Sequence, residues 1–292
     1  MKKLSNMFRL TRKRTIGQNI LLYALFVFFL IYSFTLIYPV YWTIVNSFKT
    51  PYEFVRNLYG FPSEFQFKNY AAIFELSVKG VGLLEMALNN VIVAFGGLAL
   101  ILFSSSLAAY TLTKYPFPGS KFIYSFMLVA GMLPFSASIP ATYNFFKATG
   151  LYNTHIGLIF MTGGGFGYPF LLLYNFYTGL SWTYAESAQI DGASDFKVFW
   201  HIMFPQSISM LYAVLIMIFM TVWGDFTNVY LYMPSHPTLS VGLKLLSDNM
   251  QSSGQWPALF AAMLVATVPI GVLYILANRK FYNMRLETGI KG

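Results

Sequence analysis

Residues 20–45 read ILLYALFVFFLIYSFTLIYPVYWTIV and contain no Asp, Glu, Lys or Arg. About 20 apolar residues in an α-helix cross the ~30 Å hydrocarbon core of a bilayer, so this stretch is long enough to span a membrane. Five more windows of at least 18 residues also lack these four residue types: 90–113, 122–143, 156–180, 206–224 and 257–278. The sequence therefore predicts an all-α polytopic membrane protein with six transmembrane helices.

Composition supports the same class of protein. Only 10% of the 292 residues are charged, whereas a soluble domain carries about 25%. The hydrophobic share is 57% and the mean hydropathy is +0.57, which excludes a water-soluble globular protein. The apolar windows are continuous rather than alternating, so they do not indicate a transmembrane β-barrel. There is no cysteine, which excludes disulfides, thiolate metal ligands and cysteine nucleophiles.

The positive charge predicts the orientation in the membrane. Six crossings put both termini on one side, and the segments on that side contain thirteen of the 19 Lys and Arg residues. This bias predicts that both termini are cytoplasmic in a multi-pass cell-membrane protein. The basic N-terminus adjoins a span, so topology and anionic lipid explain it better than nucleic acid does. The predicted parts are a basic N-terminus (1–19), a six-helix transmembrane domain (20–280) and a cytoplasmic tail (281–292).

Two of the predicted helices contain residues that break helices. Pro134 and Pro140 lie in the third window, and the run GGGFGYP occupies residues 163–169 in the fourth. Breaks at membrane depth are tolerated where they line a cavity or are buried in protein, which is typical of a bundle that moves. The alternative is that the small residues only allow close helix packing. Both interpretations remain open from the sequence.

The cytoplasmic segment 181–205 carries the most specific pattern. Ser181 or Thr183 can cap a short helix, Gly192 allows a turn, and Ser194 can cap a second helix in which Phe196, Phe199 and Trp200 share one face. An interfacial helix lying on lipid is the alternative. Three acidic residues in this segment would be repelled by an anionic leaflet, so we expect a protein partner instead.

The spacing in this segment resembles a known motif. Glu186-Ser187-Ala188, then Gly192, then Ile202 and Pro205 are similar to the EAA motif: Glu-Ala-Ala, three residues, Gly, nine residues, Ile, one residue, Leu-Pro. That motif belongs to the membrane subunits of ABC importers, and residues 189–194 resemble the version in sugar permeases of the maltose and multiple-sugar type. Residues 105–110, 117–119, 223–226 and 289–292 match further landmarks of this family in order. Ser187 and Phe204 depart from the usual Ala and Leu.

The resemblance implies a type I ABC importer permease fold, in which segment 181–205 forms the helix that couples to an ATPase. Glu186 would face a basic residue of the ATPase. The residues that the resemblance assigns to coupling are Glu186, Ser187, Ala188, Asp191, Gly192, Ala193, Ile202 and Pro205. It also implies a second homologous permease subunit, a cytoplasmic ABC ATPase dimer and an extracytoplasmic solute-binding protein as partners. ATP and Mg²⁺ would be bound by the ATPase subunits, with no cofactor in this chain.

No catalytic or metal site is predicted. The only glycine cluster lies within a span and lacks the Gly-Lys-Ser/Thr ending of a phosphate-binding loop. His155, His201 and His236 are far apart in sequence, and there is no His-Glu-x-x-His, so zinc chemistry is unsupported. Asp225 is the only carboxylate predicted at membrane depth, where a helix cap or structural hydrogen bond is one interpretation and a functional role another.

The sugar path is predicted less specifically. Aromatic faces, amides and hydroxyls bind sugars, and the third to fifth helices supply Tyr143, Asn144, Tyr174, Asn175, Tyr177 and Asn228. Many tyrosines in membrane proteins are interface anchors instead. In the outer connection 230–256, the resemblance places contacts with the binding protein at Asn249, Met250, Gln251 and Ser252; a solvated turn is the alternative.

These observations predict the permease subunit of an ATP-driven importer of sugars or oligosaccharides, which forms half of the translocation path and is not itself an enzyme. An ABC permease for another solute class, such as polyamines or amino acids, is the nearest alternative. An ion-driven secondary transporter would show inverted repeats and charged residues at the membrane midplane, and the sequence shows neither.

Overall fold

The computed structural model describes residues 15–75, 77–115, 117–132, 139–164 and 167–288, without the side chains of 132, 250–253 and 277–288. The described chain is mostly helical. The basic run before residue 15, Pro134 and residues 289–292 lie outside the described residues.

Within the described residues, three single helices are long and apolar enough to cross a membrane. They are α1 (Ile16–Ser47), α4 (Leu83–Lys114) and the first part of α15 (Trp256–Thr288). None of the most apolar stretch of α1 is buried against the rest of the chain. This surface is therefore available to lipid or to another subunit.

The other predicted windows are divided among shorter helices. The third window contains α5 (Ser120–Met132) and α6 (Ile139–Thr149), and the fourth contains α7 (His155–Thr162) and α8 (Tyr168–Gly179). The fifth window is α12 (Ile208–Trp223), which becomes a fourth candidate span only together with the helical segment before it, at a bend of 72°. The six-span count therefore stays a prediction.

The connection between α1 and α4 is packed, as its aromatic content predicts. It contains α2 (Pro51–Arg56), α3 (Lys68–Glu75) and an antiparallel hairpin of β1 (Ser77–Val78) and β2 (Val81–Gly82). Lys49 is fully buried, and its ammonium donates to the carbonyl of Asn57. Burial lowers the pKa of Lys49.

α4 is the central helix of the bundle and packs against α7, α8 and α12. Its N-terminal half contributes Leu83, Met86 and Leu98 to a core shared with α12 and α15. Its C-terminal end contributes Ala109 and Tyr110 to a second core, which includes residues of α5, α8 and segment 181–205. Because α4 borders both cores, it connects the two ends of the molecule.

Two prolines and Gly119 within residues 114–121 predict a short turn between α4 and α5, and the turn is short. α4 ends at Lys114, α5 begins at Ser120, and Gly119 has a positive φ of 96°. Glycine adopts this conformation without steric cost, which permits the reversal.

The remaining elements lie between α8 and α12 and between α12 and α15. They are α9 (Thr183–Ile190), α10 (Asp195–Val198), a π-helical turn (Phe199–Met203), α11 (Phe204–Gln206), α13 (Thr227–Tyr232) and α14 (Leu239–Ser253).

Candidate functional site

Segment 181–205 has the predicted helix–turn–helix form. Gly192 has φ of 81° and donates its N–H to the carbonyl of Gln189 at 3.0 Å, which closes α9. Ser194 caps α10 by accepting from the N–H of Lys197. α9 begins after Trp182, so Thr183 is not its cap; Ser181 instead accepts from the N–H of Thr183 at 3.3 Å.

The segment has one anchored side and one exposed side. Ala185, Val198, Phe199 and Met203 are buried in the second core. The predicted coupling residues Glu186, Ser187, Asp191, Gly192 and Pro205 are exposed, whereas Ala188, Ala193 and Ile202 are half-buried. Within the described residues Glu186 has no ion-pair partner. An anchored helix that presents a carboxylate outward is suited to contact another protein.

The three aromatic residues that were predicted to share a face have neighbouring rings, but they differ in burial. Phe199 is buried, whereas Phe196 and Trp200 are exposed and their rings stack with an interplanar angle of 7°. Phe199 packs inward on Tyr110 at the centre of the second core. Packing in the bundle buries Phe199 and leaves Phe196 and Trp200 exposed. Helical spacing alone does not report this difference.

Two residues at the end of α4 hold the segment in place. Lys114 donates through its ammonium to the carbonyl of Leu180, at the start of the segment. The hydroxyl of Tyr115 donates to Asp195 Oδ1 at 2.9 Å, and Gln189 donates to the same oxygen. Burial, with hydrogen bonds to Tyr110 and Asp195, raises the pKa of Tyr115 and keeps its proton in place. Neither residue carries a sequence signal for this role, because the contacts join positions far apart in the chain.

The six predicted path residues do not form a single surface. Tyr177 is fully buried, and its hydroxyl bonds to Ser106 Oγ at 2.7 Å and to Ser207 Oγ at 3.0 Å, which ties α8 to α4 and to the start of α12. The ring of Tyr174 stacks on Tyr124 with centroids 4.3 Å apart. In this conformation Tyr177 is a core residue and one face of Tyr174 is covered.

The remaining path residues lie in two other places. Tyr143 contacts Tyr152 and the ammonium of Lys147, which is 4.6 Å from its ring centroid. Asn144 and Asn175 are exposed. Asn228 lies in the bundle, in contact with Asp225.

Asp225 and Asn228 line a recess of about 120 Å³. Asp225 Oδ1 accepts from the N–H of Asn228 at 3.1 Å, and its Oδ2 accepts from the side-chain amide of Asn228 at 2.8 Å. Thr162 at the end of α7 borders the same recess. Asp225 therefore makes structural hydrogen bonds at the start of α13, where the N-cap residue is Phe226.

The outer connection contains a helix where a polar turn was the alternative. Asn249 is exposed near the end of α14, and the side chains of Met250, Gln251 and Ser252 lie outside the described residues. Leu239 and Leu246 are buried on one side of this helix. Their helical spacing is a signal that sequence reasoning missed.

The structure also brings together two histidines that are distant in sequence. The rings of His155 and His236 are 5.2 Å apart, and His155 Nε2 bonds to Asn89 Oδ1 at 2.9 Å. Asn89 uses its amide nitrogen to donate to the carbonyl of Pro237, so its oxygen faces His155 and His155 Nε2 is the donor. Among the described residues, no group of three His, Cys, Asp or Glu could hold a metal ion.

Long apolar helices packed around a central helix with buried cores at both ends are typical of a polytopic membrane protein. The chain belongs to the family of binding-protein-dependent transport system inner membrane components, whose model matches residues 100–282. It is therefore a permease subunit of a binding-protein-dependent ABC importer, a membrane component and not the ATPase.

Relatives across most of the chain belong to carbohydrate uptake systems. The diacetylchitobiose uptake system permease of Streptomyces coelicolor is 30% identical, over 86% of this chain and 83% of its own. The maltodextrin transport permease of Bacillus subtilis is 27% identical, over 91% of this chain and 95% of its own. A solved bacterial ABC transporter involved in the import of alginate shares the fold, with a TM-score of 0.75 and 17% identity over 93% of this chain and 100% of the other.

Proposed function

We propose that this chain forms half of the sugar path in a heterodimeric importer, with six spans and both termini in the cytoplasm. The sugar assignment is supported by relatives named for uptake of diacetylchitobiose, maltodextrin and starch degradation products. The six-span arrangement is supported by the six uncharged windows and by the distribution of Lys and Arg.

The observation that carries the mechanism is the exposed side of α9 next to its buried anchor. We assign α9 and the Gly192 turn to docking on a cytoplasmic ATPase subunit, with Glu186 facing a basic group. Closure of the ATPase dimer on ATP and Mg²⁺ then moves α9 as a rigid piece. The bonds from Lys114 and Tyr115 pass that movement to α4, which borders both cores.

The outer end serves the other partner in this proposal. α14 presents Asn249 and the following residues, which we assign to contact with an extracytoplasmic solute-binding protein. The second permease subunit covers apolar surface that this chain leaves exposed, of which α1 has the most.

The experiment is purification of the tagged chain from its native membrane, followed by an ATPase assay. We expect an ABC ATPase and a second, homologous permease to co-purify, and hydrolysis to rise when the cognate binding protein is added with its sugar. Deletion of the gene should abolish uptake of one member of a labelled panel that includes diacetylchitobiose, maltotriose, putrescine and glutamine. Loss of uptake of putrescine or glutamine alone would favour the other solute class. A chain that purifies without an ATPase would contradict the proposal.

A further inference from the structure

Three aromatic side chains form a continuous stripe on the exposed side of the helical segment before α12. Phe196, Trp200 and Phe204 follow one another at steps of four residues, and neighbouring rings are stacked with centroids 6.5 Å and 5.3 Å apart. Phe196 is 63% exposed and Trp200 is 44% exposed, whereas Val198 and Met203 on the other side of the segment are fully buried. This aromatic stripe is therefore apolar surface that the described chain leaves largely uncovered.

The direction of the segment places the aromatic stripe along the border of the membrane. The segment Asp195–Gln206 and α12 meet at a bend of 72°. α12 has 16 residues, or about 24 Å of helix, and so covers most of the ~30 Å hydrocarbon core. Membrane helices tilt by about 20° on average, so a helix that meets α12 at this bend runs closer to the bilayer plane than to its normal.

We propose that the aromatic stripe binds the headgroup and upper acyl-chain region of an anionic lipid bilayer. Trp and Phe beside basic residues are typical of helices that lie in the membrane interface. The contact would fix the depth at which segment 181–205 sits in the membrane. This inference goes beyond the proposed function, because it requires only that the chain is a membrane protein.

The charges beside the aromatic stripe favour anionic lipid. Lys197 and His201 are exposed, and each follows a residue of the stripe by one position, so both lie along the same edge of it. Lys197 has no ion-pair partner among the described residues. The carboxylate of Asp195 accepts hydrogen bonds from Tyr115 and Gln189, which hold this negative charge on the side of α9.

The acidic residues that predict a protein partner belong to the other short helix. Glu186 lies in α9 and Asp191 ends it, and both are exposed. The turn at Gly192 separates α9 from the aromatic stripe. Segment 181–205 therefore presents two surfaces of opposite charge: an acidic one on α9, which is assigned to the ATPase, and a basic aromatic one, which we assign to lipid.

The aromatic stripe also continues into the exposed surface of α12. Ile208, the first residue of α12, follows Phe204 at the next step of four residues and is exposed. Met217 and Met220 further along α12 are exposed as well. A cytoplasmic ATPase reaches the start of this surface but not the part that lies in the hydrocarbon core. Lipid is the partner that matches its whole length.

The test measures which medium surrounds the aromatic stripe. Phe196→Cys is labelled with a small fluorophore in the complete importer, which is reconstituted in vesicles of phosphatidylcholine and phosphatidylglycerol. Quenching by lipids brominated in the acyl chain and by aqueous iodide is measured with the ATPase bound and after its removal. This chain contains no cysteine, so the unsubstituted importer supplies the background from the other subunits. Ile190→Cys, at an 85% exposed side chain at the end of α9, is the matched control.

We expect brominated lipid, and not iodide, to quench the label at position 196, with or without the ATPase. The label at position 190 should show no quenching by lipid, and iodide should quench it once the ATPase is removed. Ile208→Cys is a second position in case Phe196→Cys assembles poorly. Its label should be quenched most strongly by bromine deeper in the acyl chain, because α12 enters the hydrocarbon core there.

The preference for anionic lipid is tested with brominated phosphatidylglycerol against brominated phosphatidylcholine. Lys197→Gln should reduce the preference of the position-196 label for the anionic lipid by about fivefold, as for loss of one lysine near an anionic surface. Lys68→Gln is the control, because it removes the same charge from an exposed position at the start of α3. This substitution should leave the preference unchanged.

The other outcomes identify a different occupant. Quenching by iodide in every state would mean that the aromatic stripe faces water. Iodide quenching only after removal of the ATPase, or protection from both quenchers, would mean that a protein covers it. Either result, or an unchanged lipid preference in Lys197→Gln, would overturn the proposal. If no ATPase co-purifies, the proposed function fails, and the same quenching measurement still tests the lipid contact.

Discussion

At the scale of single residues, Gly192 is the position whose backbone the sequence predicts best. Its φ of 81° lies in the left-handed region, and the space where a Cβ would sit is empty. The cost of substituting Gly192 therefore comes from backbone conformation and not from steric crowding. A residue other than glycine pays about 1–2 kcal/mol in this region.

We predict that Gly192→Val weakens the proposed coupling to the ATPase. The substitution strains the turn by ~1–2 kcal/mol and shifts α9 relative to α10. Co-purified ATPase and the stimulation of hydrolysis by loaded binding protein should both fall. Gly179→Val is the matched control, because Gly179 ends α8 without a positive φ and with open space around its Cβ position. Equal effects of the two substitutions would contradict a specific role for the turn.

At the scale of elements, α4 and α7 pack closely through a glycine. A Cβ on Gly97 would lie 2.8 Å from Thr162 Cγ2 and 2.9 Å from its Cβ. Small residues allow such approach between membrane helices. Thr162 also borders the recess, so this close contact and the recess adjoin each other.

Gly97→Val should destabilise the purified importer, because it forces α4 and α7 apart. Overpacking of this kind costs about 1–3 kcal/mol. The midpoint of thermal aggregation in detergent is the measurement. Gly271→Val in α15 is the control, since nothing lies within 4 Å of its Cβ position. If the aggregation midpoint of Gly97→Val is not below that of Gly271→Val, α4 and α7 can separate without loss of stability, which would contradict the prediction.

The contact between His155 and His236 joins α7 to the segment before α14, and it predicts a response to pH. Burial and the neighbouring His236 lower the pKa of His155. As pH falls below about 6.5, the unfolded chain binds a proton at this position before the folded protein does. The free energy of unfolding therefore decreases, and this change levels off once folded His155 is also protonated.

Wild type should lose more thermal stability between pH 7.5 and 5.5 than His155→Gln, which keeps a donor for Asn89. His236→Gln should reduce the difference only in part, because burial is the larger cause. The measurement is the thermal aggregation midpoint at the two pH values. An identical acid response in wild type and His155→Gln would contradict the assignment.

At the scale of the whole molecule, the orientation in the membrane is open to a direct test because the chain contains no cysteine. We predict that Tyr59→Cys, at a side chain that is 77% exposed, reacts with a membrane-impermeant maleimide in intact spheroplasts. Lys121→Cys, in the first turn of α5 and next to the reversal that follows α4, should react only after permeabilisation. The reverse pattern would contradict cytoplasmic termini.

The sequence by itself determined the class of protein, the helix–turn–helix of the coupling segment and the turn at Gly119. These features depend on local sequence. Long uncharged apolar runs are most stable in a bilayer, and Gly119 and Gly192 permit a positive φ. The tertiary structure decided which face of each helix is buried. Phe199 and Tyr177 are buried. Lys114 donates to the carbonyl of Leu180, 66 residues further along the chain, and Tyr115 donates to Asp195. Thr162, Asp225 and Asn228 line one recess. These contacts depend on how separate helices pack against one another, and helical periodicity reports only the faces of a single helix.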